Sequence, residues 1–293
     1  MSKHYLNMKL TVIDTGYFKL DGGAMFGVVP KVIWEKLEKP DEKNLCTWAM
    51  RCLLVQTEEG RNILIDTGIG DKQSEKFFSH YEPHGEDTLL KSLKKVGLKP
   101  EDITDVLLTH LHFDHCGGAV TLKKGKYVPT FPKATYWTNQ KHWNWANKPN
   151  QREKASFLKE NFVPLQEAGV LKFIEPAPYD AQTMWFNNFS FLFAYGHTEA
   201  MMLPYIMFNR KKVVYCADLL PSPNHISIPY VMGYDVRPLQ SMTEKEYFLT
   251  RAVHEKWILV FEHSKDVEAC TVKMDEDGKI VINESGNLSD FLK

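Results

Sequence analysis

The stretch that most constrains this chain is Val106-Leu107-Leu108-Thr109-His110-Leu111-His112-Phe113-Asp114-His115-Cys116-Gly117-Gly118. An apolar run ends in three histidines and an aspartate packed into six positions, with two glycines following. Neutral imidazoles and carboxylates are what zinc-like divalent metals bind. The whole chain has only 11 histidines, so a chance surface cluster is a poor account of three so close together. In an extended chain alternate residues share a face, so His110, His112 and Asp114 are expected to point one way. His115 then aims elsewhere unless the backbone turns beside it. A turn there would let one hexapeptide serve two adjacent ions.

Four strand-like runs share one kind of ending. The run 103–108 leads to His110, and Phe189–Tyr195 leads to Gly196-His197-Thr198. Lys212–Ala217 ends at Asp218, and Trp257–Phe261 ends at Glu262-His263-Ser264. Open α/β sheets gather their sites at strand carboxyl ends, so one site drawing on all four runs is expected. Each of these histidines alone would read as structural; four like endings argue against coincidence.

Elsewhere Lys9–Asp14 reads as a first strand, and Ala49–Thr57 with Arg61–Asp66 as a hairpin around Glu58-Glu59-Gly60. Asp66 begins Asp66-Thr67-Gly68, where an aspartate often bonds neighbouring amides. Leu89, Leu90, Leu93 and Val96 form a helical stripe within Glu86–Val96 that stops at Gly97. From Tyr136 to Glu175 the pattern is helical and aromatic, a candidate interface for a homodimer. The glycine-rich stretch Asp21-Gly22-Gly23-Ala24-Met25-Phe26-Gly27-Val28-Val29-Pro30 lacks the lysine ending of a phosphate loop. It fits an apolar lip over a cleft, with a plain turn as the alternative.

Composition narrows the classes. A hydrophobic fraction of 43% and a charged fraction of 25% are those of a globular protein, here expected as one domain over 1–293. A net charge of −1 gives no field favouring nucleic acid or an anionic membrane. Five cysteines without a C-x-x-C pair argue against a disulfide framework. Met1–Asn7 lacks the apolar core of an export signal, and no apolar run approaches the ~20 residues of a membrane span, so a cytoplasmic location is expected.

Together, His110-Leu111-His112-Phe113-Asp114-His115, His197, Asp218 and His263 resemble the H-x-H-x-D-H signature and later ligands of the metallo-β-lactamase-fold superfamily. Within it, Asp102–His115 and Asp21–Gly27 are similar to the N-acyl-homoserine lactone lactonases, those of the AidC type among them. The stretch from Asp218 through Tyr234-Asp235 is also similar to the related aryl-ester and organophosphate hydrolases. The resemblance implies an α/β (α+β) fold, an αββα sandwich of two mixed sheets flanked by helices. It implies two zinc ions, although iron, manganese or cobalt suit the same ligands. His110, His112 and His197 would hold one ion, Asp114, His115 and His263 the other, and Asp218 would bridge. It further implies opening of a lactone ring by a metal-bridging hydroxide, with Asp114 carrying the proton to the leaving oxygen. Met25, Phe26, Trp34 and Met50 are the candidates for an acyl-chain wall, against a reading as ordinary core.

Two positions depart from the family pattern. His197-Thr198 continues as Glu199-Ala200-Met201 where Pro-Gly is common. Pro221 stands three residues after Asp218, where many lactonases carry a carbonyl-binding tyrosine, so Tyr215, Tyr230 or Tyr234 would have to replace it in space. The alternative function is therefore a sister hydrolase of aryl esters or organophosphates. A secreted β-lactamase, a nuclease and a flavin-linked di-iron oxidoreductase fit less well, for want of an export signal, a basic surface and a glutamate at His112. A binding module that kept only the fold would show a lost ligand, and none is lost.

Overall fold

A computed structural model describes residues 8–293, so the Met1–Asn7 stretch lies outside the described residues. The described residues form two compact units, one made of 8–16 and 50–176, the other of 17–49 and 177–293. Neither is continuous in sequence.

The first unit carries a mixed six-stranded sheet in the order Met8–Asp21, Leu45–Thr57, Asn62–Ile65, Asp105–Leu107, Thr135–Asn139, Leu171–Ile174. The first two of these strands have residues in both units. The expected hairpin forms, with Leu53 opposite Ile65 and Gln56 opposite Asn62. Strand Asn62–Ile65 then runs parallel to Asp105–Leu107, which runs parallel to Thr135–Asn139. Parallel neighbours bring their carboxyl ends to the same edge, so Asp66 and the segment after Leu107 emerge side by side. Val106, Leu108 and Leu111 are buried with Leu64, Leu93, Phe131, Tyr136 and Phe162 in the core beneath.

The stripe predicted over Glu86–Val96 becomes the helix Leu89–Lys95. It starts later because Thr88 caps it, its hydroxyl accepting from the Lys91 amide at 3.3 Å. The helical reading of 136–175 needs correcting. Strands Thr135–Asn139 and Leu171–Ile174 frame the helices Gln140–Asn147 and Val163–Glu167. The run Thr135-Tyr136-Trp137-Thr138 is β-branched and aromatic, which suits a pleated sheet better than a helix. Trp143, Phe157 and Phe162 are buried, so much of the aromatic signal is core.

The second unit has a seven-stranded sheet in the order Ile280–Gly286, Ala269–Met274, Trp257–Val260, Lys211–Tyr215, Met201–Phe208, Phe189–Ala194, Thr183–Phe186. Three of these strands match the expected runs. Only Lys211–Tyr215 and Trp257–Val260 pair in parallel, which places Asp218 and His263 beyond neighbouring carboxyl ends. The helix Pro238–Glu255 lies against Trp257–Val260 and Ala269–Met274. It buries Ser241, Glu244, Lys245, Phe248, Leu249 and Ala252, one face of a 3.6-residue period. Two of those buried residues are charged, and both recur below. Among the described residues no helix is long and apolar enough to cross a membrane.

Leu93 is fully buried on the core face of its helix. Leu93→Ala should lower unfolding stability by about 2–5 kcal/mol, read as a shift in the denaturation midpoint with the slope unchanged.

Candidate metal centre

In the first unit the chain leaves Asp105–Leu107 through Thr109 and reaches His112, from which Phe113–Cys116 forms a single helical turn. The extended alternation therefore holds for His110 and His112 but not for Asp114. The backbone turns two residues before His115. His110, His112, Asp114 and His115 are all buried and lie together. His110 Nε2 is 3.0 Å from His112 Nδ1, the His110 and His115 rings are 3.9 Å apart, and His115 Nε2 is 3.8 Å from Asp114 Oδ2.

Asp66 organises this cluster from behind. Its carboxylate is fully buried and accepts from the Thr109 amide at 2.8 Å and the Thr109 hydroxyl at 2.7 Å. It also lies 3.2 Å from His115 Nδ1, which therefore donates to it and leaves Nε2 as the nitrogen that could bind a metal. The residue is held at φ 58°, a conformation aspartate tolerates better than most. Below it, backbone segments approach too closely for side chains. A Cβ on Gly117 would lie 2.1 Å from the Ile69 carbonyl oxygen, and one on Gly118 2.3 Å from that of Thr67. These glycines let the helical turn dock, which explains their place after the hexapeptide. His142 accepts from the Leu111 amide at 2.8 Å, and Glu153 lies 3.5 Å from His112.

In the second unit Asp218 lies between two histidines, Oδ2 at 3.2 Å from His197 Nε2 and Oδ1 at 3.1 Å from His263 Nε2. Both imidazoles are committed on their other side. His197 Nδ1 donates to Asp235 at 2.8 Å, and His263 Nδ1 donates to the Ala49 carbonyl at 2.7 Å. A carbonyl accepts only, so His263 Nδ1 carries a proton, and in the neutral ring Nε2 turns a lone pair toward a carboxylate oxygen. Neutral imidazole and carboxylate repel in that arrangement unless a cation lies between them.

That is the test of fit for a metal. Two ligand atoms on a tetrahedral zinc, each about 2.0–2.1 Å from it, are about 3.3 Å apart. The nitrogen pair in the first unit and both nitrogen–oxygen pairs in the second are near that spacing. The residues present therefore suit divalent ions, with ligand nitrogens oriented from behind by carboxylates and a carbonyl.

The loop carrying His197 is gripped from the helix Pro238–Glu255. The buried Glu244 carboxylate accepts from the amides of Tyr195 at 2.9 Å and Gly196 at 3.0 Å. Burial raises the Glu244 pKa, and those two amides oppose the rise. Arg237 donates to the Tyr195 carbonyl at 2.6 Å and to Glu199 at 2.8 Å. Glu199, where Pro-Gly is common, thus serves as an ion-pair partner that helps hold the loop.

The four residues predicted for an acyl wall, Met25, Phe26, Trp34 and Met50, are all buried. Met25, Phe26 and Trp34 belong to the second unit and Met50 to the first. Gly22–Phe26 is a short helix capped by Asp21, not an extended loop. The apolar side chains that face solvent beside it are Val28, Val32 and Ile33. Of the tyrosines weighed against Pro221, Tyr215 is fully buried, Tyr234 is exposed, and half-buried Tyr230 stands edge-on to Phe26 at 6.2 Å.

Sequence reasoning missed His225, Asp235, Arg237, Glu244 and Lys245. Asp235 stood within a stretch similar to related hydrolases, but nothing in the sequence pairs it with His197. His225 is buried and stacked on Phe26, 4.8 Å between ring centroids. Its Nε2 donates to the Met25 carbonyl at 2.9 Å, so its Nδ1 accepts from the Ser222 hydroxyl at 2.8 Å.

Asp66→Asn keeps the shape but loses the charge that orients His115. Metal affinity should fall about 10–100-fold, measured by competition with a chromophoric chelator. Burial holds the His225 pKa down to about 3 from 6.5, with the Met25 carbonyl opposing. Between those values the unfolded chain carries a proton that the folded one lacks. His225 thus costs no stability above pH 6.5 and removes up to ~1.4 kcal/mol per pH unit as pH falls toward 3. Urea midpoints between pH 6.5 and 4 should fall less steeply in His225→Gln than in the native chain.

Residues 51–258 match the family model of the metallo-beta-lactamase superfamily. An N-acyl homoserine lactonase of Bacillus cereus is 41% identical over 85 residues, 26% of this chain and 32% of that protein. The chain thus spans about a third of the length of that relative. A solved probable metal-dependent hydrolase from Staphylococcus aureus is 28% identical with a TM-score of 0.85, covering 96% of this chain and 98% of its own. AidC, a dizinc quorum-quenching lactonase solved with a product, has a TM-score of 0.74 at 22% identity, covering 97% of each chain, a likeness of fold. With most of its length matched and its sheets flanked by helices, the chain belongs to the metallo-β-lactamase superfamily.

Proposed function

We propose that this chain is a dinuclear metal-dependent hydrolase, with zinc as the first candidate, that opens the lactone ring of N-acyl-homoserine lactones. The observation carrying the reading is the Asp218 carboxylate between two imidazoles whose other nitrogens are already engaged. The substrate class is supported by the stretch similar to the Bacillus cereus lactonase and by the lactonase-like flanks of the hexapeptide.

In this reading His110, His112 and His197 would hold one ion, Asp114, His115 and His263 would hold the other, and Asp218 would serve both. The two units then act as one domain over 1–293. A pair of such ions would acidify a shared water and polarise the ring carbonyl. The chain's own residues do the rest. Asp66 and Asp235 hold the histidines to the tautomers that ligate. Asp114, at the start of its helical turn, carries the proton to the ring oxygen as it leaves. Met25, Phe26, Trp34 and Met50 make the apolar layer beneath the acyl chain. A cytoplasmic location and a homodimer through 136–175 complete the proposal.

Pro221 favours a second reading, since no tyrosine is available there to bond a lactone carbonyl. An aryl-ester or organophosphate hydrolase would not need one in that place. The two separate on side-by-side rates. The purified zinc-loaded protein should open acyl-homoserine lactones of several chain lengths, with kcat/KM at least 100-fold above that for a phosphotriester, and should hold two metal ions per chain. No ring opening, or a metal stoichiometry of one, would sink the lactonase reading.

A further inference from the structure

Beside Glu244 on the helix Pro238–Glu255 is Lys245, with only 1% of its surface exposed. Lysine has three N–H donors and no acceptor. Here the ammonium meets three carbonyl oxygens of one short stretch: Ser227 at 3.0 Å, Ile228 at 3.3 Å and Tyr230 at 2.8 Å. A leucine or methionine would fill the same volume without the cost of burying a charge. What an ammonium adds is direction, since it compels three carbonyls of residues 227, 228 and 230 to converge on one point. Packing alone does not hold the loop on every side. With Ile280 and Ile282, residues Ile226, Ile228, Pro229 and Tyr230 wall a groove of about 780 Å³.

The clamped loop is in turn fastened to the helix Gly22–Phe26. The Gly233 amide donates to the Ala24 carbonyl at 2.7 Å, and His225 donates to that of Met25. Phe26 is stacked on His225 and lies edge-on to Tyr230. A Cβ on Gly27 would lie 2.3 Å from the Val231 carbonyl oxygen, so the two backbones are in direct contact. Among these contacts, those of Met25 and Phe26 involve residues proposed above for the acyl wall.

We infer that Lys245 is a positioning residue for acyl-chain recognition: its ammonium fixes the 227–230 backbone, and through residues 225–233 this sets the place of Met25 and Phe26. The inference rests on the lactonase reading for its substrate and on the clamp geometry for its mechanism. Lys245 touches no reacting atom. Loosening it should therefore weaken the binding of long acyl chains far more than it slows ring opening.

The test compares native, Lys245→Met and Lys245→Arg chains, all zinc-loaded, on C4 and C10 acyl-homoserine lactones. In Lys245→Met, the ratio of KM for C10 to KM for C4 should rise about tenfold, with equal metal content. Lys245→Arg, which keeps a cation, should recover at least half of that change. Amide exchange should quicken in 24–27 and 228–233 of Lys245→Met while the amides of 110–116 keep their protection. If Lys245→Met does not fold, His225→Leu cuts the link between loop and lip and should produce the same shift in the KM ratio. A native chain that opens no lactone refutes the function proposed above, and the exchange result then still judges the clamp. An active chain whose KM ratio is unmoved in the folded variants overturns the role of Lys245.

Discussion

The structure of the site depends on a buried carboxylate set between two imidazoles, an arrangement that needs positive charge among its members. Asp218 offers one oxygen to His197 and the other to His263, each close to 3 Å. Because Asp235 and the Ala49 carbonyl engage the far nitrogens, each near nitrogen of a neutral ring presents a lone pair to an oxygen that is also electron-rich. Such a group is stable in a buried setting only with positive charge among its members. In the first unit His110 and His112 bring nitrogens within 3.0 Å of one another, a spacing that also suits two ligands on one ion. Much of the surrounding fold holds these side chains in place.

That holding is done from behind, by residues that ligate nothing themselves. Asp66 ties the strand end at Thr109 to His115, and glycines at 117 and 118 let the backbone beneath close up. Glu244 and Arg237 grip the loop that carries His197. The adjacent Lys245 grips a different loop, the one fastened to Met25 and Phe26. One buried helix face therefore holds both the loop that carries His197 and the loop fastened to the helix Gly22–Phe26. Two charges stand on a face otherwise made of Ser241, Phe248, Leu249 and Ala252 because each meets the backbone groups it needs.

The departures from the family pattern find physical accounts of different strength. Glu199 is paired with Arg237, so the loop after His197 is held by an ion pair and not by the stiffness of proline. At Pro221 the ring carries no donor for a substrate, but its carbonyl accepts from the His263 amide at 3.0 Å, a bond that depends on backbone alone. Tyr230 stands edge-on to Phe26 of the predicted lip.

The candidate metal-binding residues stood out in the sequence because metal binding demands particular residue types at strand ends, and histidine, with 11 in 293 residues, is scarce in this chain. His110, His112, Asp114, His115, His197, Asp218 and His263 could each be named from local pattern. The strands leading to them were legible too, since an apolar run broken by a ligand residue is a one-dimensional signal. The region 136–175 was misread where aromatic residues serve strand and helix alike, and only pairing with neighbours chose between them. The turn at His112, the pairings of His197 with Asp235 and His115 with Asp66, and the burial of Lys245 were decided by tertiary structure alone. Each depends on which distant groups meet in space, and a carboxylate or ammonium bears no mark in sequence of the partner that lets it be buried.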